Sequence, residues 1–101
     1  MNEPFYLKEN EETVIAVINN LKELRNSLIN TSNNAIKHHV TKDKNDFAAW
    51  INESLNKSGL AFKMALIMGN EVEVKDQIIR ILDKELNKWR TLQKIKALLR
   101  K

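Results

Sequence analysis

Two adjacent histidines, His38 and His39, open the stretch HHVTKDKNDFAAW that runs from His38 to Trp50. Imidazoles close to carboxylates, here Asp43 and Asp46, are the raw material of metal ligation and of general acid–base chemistry. The spacing speaks against a metal. Adjacent residues point to different sides of a helix, so the pair cannot readily close on one ion, and an aspartate would have to complete the set. No nucleophile is placed for the second chemistry, because Ser54 and Ser58 read as a helix-surface and a capping residue. Gly59 and Gly69 are the only glycines, which leaves no oxyanion loop, phosphate loop or dinucleotide fingerprint. The expectation is no catalytic residue, no metal and no cofactor. One histidine should sit half-buried beside the helix that follows, bonded to an Asp or a backbone group, with the other exposed. Phe47 and Trp50 fall at helical spacing with Ile51 and read as core anchors rather than an exposed aromatic pair.

The elements that position this stretch are helical. With 101 residues, 43% of them hydrophobic and 30% charged, the chain has the composition of one ordinary globular domain. Two glycines and one proline leave little material for a many-turned β fold. Cysteine is absent, so disulfides and thiolate metal sites are excluded, and a reducing interior is compatible. MNEPFYLKENEE is acidic and has no cationic start followed by an apolar core, so no signal peptide is expected. The most apolar patch, Leu60–Met68, is interrupted by Lys63 and is far shorter than the roughly 20 residues of a membrane span. A cytoplasmic protein is expected.

Taken in order, Phe5-Tyr6-Leu7 reads as extended, and Lys8–Glu12 as a turn. Thr13–Ile18 is ambiguous. Its β-branched content suits a strand pairing back on Phe5–Leu7, yet Val14, Val17, Leu21, Leu24 and Leu28 also make a helical stripe. Asn20 followed by Glu23 has capping-box spacing, which favours a helix starting there and a hairpin before it. Further helices are predicted over about Leu21–Ile29, Asn33–Val40 (capped by Ser32), Asp46–Asn56 (capped by Asn45 or Asp46) and Leu60–Met68. Ser58-Gly59 should end the third and start the fourth, Gly69-Asn70 should end the fourth, and the nearly all-apolar fourth should be the most buried.

The last predicted helix, about Glu71–Arg100, would be about 45 Å long at 1.5 Å per residue. A domain of this size has a radius of gyration near 13 Å, so the helix outruns its own domain. The predicted architecture is thus a mainly α fold. Residues 1–69 form a compact four-helix domain with a short N-terminal hairpin as one of two readings. Residues 70–101 form a basic amphipathic helix that packs on it and extends beyond. Val74, Ile78 and Ile81, with Leu82, suit packing on the core. The seam then meets Glu85 and Lys88 and resumes at Leu92, Ile95 and Leu99, with Leu86 and Trp89 beside the break.

Charge is concentrated there as well. From Lys84 to Lys101 seven basic residues stand against Glu85, a net +6 in a chain of +4. Three uses fit such a tail. The first is helix pairing through Trp89, Leu92, Ile95 and Leu99 with a helical protein partner, most simply a second copy in a homodimer. The second is nucleic-acid contact through Lys88, Arg90, Lys94, Lys96, Arg100 and Lys101. The third, ranked last, is a membrane-surface helix with Trp89, Leu92, Ile95 and Leu98 beside lysines. A merely solvated positive face is the plain alternative.

The elements HHV (38–40), NDFAAWI (45–51) and LA (60–61), preceded by FYL (5–7) and LKEL (21–24), resemble a family of small archaeal domains of unknown function over about residues 5–68. The resemblance implies a compact folding unit, often joined to other segments including long helices, an archaeal cytoplasmic origin, and no assigned activity. This chain departs from the family at Glu9–Ile18, where a tight Gly-containing turn is usual.

Overall fold

The computed structural model of the protein describes residues 3–100. Along it run β1 (Phe5–Lys8), β2 (Val14–Ile18), α1 (Leu21–Leu28), α2 (Asn33–His39), α3 (Asp46–Glu53), α4 (Ser58–Ala65) and α5 (Glu71–Leu99). The fold is mainly helical, with a two-stranded antiparallel hairpin at its N-terminal end.

The ambiguity at Thr13–Ile18 resolves as strand. Asn20 holds extended dihedrals and its side chain accepts from the Glu23 N–H, so no helix passes through it. Pairing Phe5 with Ile18 and Leu7 with Ala16 turns Phe5, Leu7 and Ile18 into the core. The turn needs no glycine. The Asn10 carboxamide oxygen accepts from the Glu12 and Thr13 N–H groups, both at 2.9 Å, and so imitates a backbone turn. Glu23 returns its carboxylate to the Asn19 N–H at 2.8 Å, one residue short of the reciprocal bond expected with Asn20.

The boundaries and the burial around α4 differ from expectation. α3 stops at Glu53, and Asn56 takes a left-handed conformation with φ 54°, a role asparagine fills better than most residues. Ser58-Gly59 lie in the first turn of α4, which they start as expected, but they do not end α3. α4 is also not the most buried helix. Leu60, Ala61 and Met64 face the core, but Phe62 is 66% exposed and Leu66 and Met68 are open too. An apolar composition cannot bury a helix that is covered on one side only.

α4 ends at Ala65, short of the expected Met68, with Leu66 as its C-cap; Gly69, with φ 129°, lies in the connection that follows, and Asn70 caps α5. The Asn70 side chain accepts from Glu73 N–H at 3.0 Å, and the Glu73 carboxylate accepts from Asn70 N–H at 3.1 Å, a full capping box. A Cβ on Gly69 would meet the Glu73 Cβ at 2.9 Å. Gly69→Ala is therefore expected to cost about 1–3 kcal/mol in urea denaturation, from strained dihedrals and the displaced cap. Gly59→Ala should change stability with the opposite sign, by up to about 1 kcal/mol, since its site is helical and nothing lies within 4 Å of the added carbon.

α5 spans 29 residues in a molecule measuring 51 × 27 × 24 Å. Its first half belongs to the core through Val74, Ile78 and Leu82, with Ile79, Ile81 and Leu86 partly covered. Arg25 of α1 pairs with Asp83 at 2.8 Å, and the Lys75 ammonium donates to the Thr31 carbonyl at 2.7 Å.

Candidate functional site

His39 lies buried between β1, α2 and α3. Its Nδ1 is 2.9 Å from Asp46 Oδ2, and its Nε2 accepts from the Lys8 backbone N–H at 2.9 Å. An acceptor at Nε2 requires the proton to sit on Nδ1, so the ring is neutral and donates to the carboxylate. Burial pushes the His39 pKa below its ordinary value, against the opposing pull of Asp46. Burial would raise Asp46, but hydrogen bonds from Lys44 and His39 outweigh it and hold the carboxyl below its usual range. Both ring nitrogens are committed, which leaves neither free for a metal or a proton relay. His39 is a clamp that ties strand to helix.

The rest of the motif performs the same task. Phe5 stacks against His39, Phe47 and Trp50 with ring centroids 4.8, 5.1 and 5.7 Å apart. The Trp50 indole donates to the Glu3 carbonyl at 2.7 Å. Asn45 caps α3 by accepting from Ala48 N–H and donates to the Met64 carbonyl at 2.9 Å, joining α3 to α4. Phe47 and Trp50 are thus core anchors, as their spacing predicts. His38 is partly covered rather than exposed, with Glu11 3.9 Å away. Among the described residues no group of three or more His, Cys, Asp or Glu is placed to hold a metal ion, and no helix is long and apolar enough to cross a membrane.

The second candidate is the tail of α5. Trp89, Leu92, Ile95 and Leu99 are 46%, 50%, 47% and 81% exposed. At about 100° per residue they fall within an arc of about 120°, continuing the face that carries Val74, Ile78 and Leu82 into the core. Trp89 marks where the domain ends: the Lys57 ammonium stands 5.4 Å from its ring centroid, a cation–π distance, and also lies 3.9 Å from Glu85. Beyond it the stripe overhangs.

Lys88, Arg90, Lys94, Lys96 and Arg100 are exposed, and among the described residues none has an acidic partner within ion-pair distance. Lys101 lies outside the described residues. Lys88 and Lys96 fall within the arc of the apolar stripe and Arg100 at its edge, whereas Arg90 and Lys94 fall about 100–140° from Trp89 around the helix. The cations surround the tail and do not form one face.

A further surface escaped sequence reasoning. Tyr6 and Val17 are cross-strand partners on the outer side of the hairpin, and with Val14 and Ile15 they are about half exposed. The signal was present in Val14-Ile15-Ala16-Val17-Ile18, since a strand with one wet face normally alternates apolar with polar and this one does not.

No curated protein and no solved structure matches the chain. A family model does match, described as a family of unknown function, and its match runs over residues 2–99, taking in the hairpin, the His39 clamp and all of α5. On that extent the chain belongs to the family of unknown function DUF5752.

Proposed function

We propose that the protein is a non-enzymatic interaction module of the cytoplasm whose α5 tail pairs with a partner, a second copy in the first instance. The observation that supports this is the overhang of Trp89, Leu92, Ile95 and Leu99, an apolar stripe continuous with the core face of α5 but running past its own domain. Leaving such side chains in water forgoes roughly 1.5–3 kcal/mol each. The committed ring nitrogens of His39 supply no free acid or base, which favours binding over catalysis.

Light scattering tests it. The full chain should self-associate at tens of micromolar, and Leu92→Glu plus Leu99→Glu should return it to a monomer with unchanged circular dichroism. A wild-type chain that stays monomeric at that concentration overturns the self-association.

The rival reading is nucleic-acid binding, favoured by the unpaired cations Lys88, Arg90, Lys94, Lys96 and Arg100 together with Lys101. Gel shifts with duplex DNA and structured RNA over a salt series address it, because each neutralised phosphate adds about 0.9 to the logarithmic salt slope on duplex DNA. Their distribution around the helix ranks it second.

A further inference from the structure

The chain carries two half-exposed apolar surfaces of opposite charge. The hairpin presents Tyr6 and Val17 on its outer face, with Val14 and Ile15 half exposed beside them where the register shifts. Residues 3–18 hold Glu3, Glu9, Glu11 and Glu12 against Lys8 alone, a net −3. Of these acids, Glu11 is 3.9 Å from His38 and Glu9 accepts from the Ser32 hydroxyl at 3.3 Å. The tail presents its apolar stripe among cations, a net +6 from Lys84 to Lys101. Pairing two tails side by side would bring two such +6 segments together with one acid, Glu85, on each. Like charges across an interface cost several kcal/mol. A complement exists within the same chain, at its other end.

We infer that the α5 tail of one copy docks on the hairpin face of the next, with Trp89, Leu92, Ile95 and Leu99 covering Tyr6, Val14, Ile15 and Val17 and the tail cations facing the hairpin acids. This inference rests on the tail being the interaction surface and names its receptor. The contact is heterologous. Each copy donates a tail and receives one, so assembly proceeds head to tail into chains, or into a ring if the rotation closes, and has no reason to stop at a dimer. Association is concentration-dependent, and its opposite charges make it weaken as salt rises.

A mixing experiment on the full chain decides it. One variant silences the tail (Leu92→Glu plus Leu99→Glu). The other silences the hairpin face (Tyr6→Thr plus Val17→Lys) at exposed positions that keep their strand partners. With folding checked by circular dichroism, sedimentation should find the wild type growing past dimer mass with concentration. Each variant alone should be monomeric, and an equimolar mixture should form a one-to-one dimer that grows no further, since each variant retains one working half. If the hairpin variant self-associates like wild type, or the two monomeric variants fail to combine, the hairpin receptor is overturned while the tail reading stands. If the tail variant still self-associates, or the wild type is monomeric throughout, both fall.

Discussion

Phe47→Ala is expected to destabilise the protein by about 3–5 kcal/mol, the range for truncating a fully buried phenylalanine. Phe47 has no exposed surface and lies where the hairpin meets the helices, its ring centroid 5.1 Å from Phe5 and 5.3 Å from His39. Truncation leaves a void that Phe5 and His39 cannot close without giving up the strand pairing and the clamp. Domains of this size are stable by only about 5–15 kcal/mol, so much of the folded population is at stake at physiological temperature. Phe62→Ala provides the contrast. The same chemical change on the open side of α4 should stay within about 0.5 kcal/mol. Urea denaturation of both variants measures the difference, and equal losses would mean that Phe47 is not the anchor described.

Replacing His39 by leucine should cost about 2–4 kcal/mol. It strips Asp46 of a donor and leaves the Lys8 N–H without its acceptor, and an unpaired buried group costs about 1–3 kcal/mol. The wild type should also show a pH dependence that the variant lacks. His39 titrates below its ordinary value of 6.5 when folded, so between its folded and unfolded pKa the unfolded chain binds the extra proton. Stability from the clamp is fully present above about pH 6.5 and declines as the pH drops below it, until the folded pKa is passed. Protonation puts a second N–H at Nε2, facing the Lys8 N–H, and the strand loses its acceptor. Asp46, whose folded pKa lies below 3.8, contributes stability that is lost only at still lower pH, which leaves the upper window to the histidine. A denaturation midpoint that does not move between pH 7.5 and 5.5 would overturn the clamp.

Much of this arrangement is legible in the residues. Ser32, Asn45 and Asn20 cap the helices they precede because short polar side chains reach the unpaired N–H groups of a first turn. The stripe of Leu21, Leu24 and Leu28 is buried as its period requires. Other features depend on tertiary contact and cannot be read from spacing. Asn10 closes a turn where the resemblance implies glycine, through two hydrogen bonds no pattern announces. Leu60–Met68 looks like the deepest helix by composition, yet only the neighbours decide which side of an apolar helix stays wet. Spacing predicts that one of the two histidines bonds an aspartate or a backbone group without saying which, and His39 bonds both. The family match runs over residues 2–99 and takes in α5, which sequence reading leaves outside any resemblance because a basic amphipathic helix has too generic a pattern to be recognised alone.

The continuity of α5 from Val74 to Leu99 bears on kinetics. An isolated helix of a dozen residues is marginal in water because its first turn fixes several dihedrals for a single hydrogen bond. The tail never faces that step. Its preceding turns are already wound against α1, α2 and α4, so the folded domain acts as a template from which the outer turns propagate one bond at a time. A partner therefore meets a surface whose ordering was completed when the domain folded. Loosening the core around Leu82 would disorder the binding stripe from its root even where no residue of the stripe had changed.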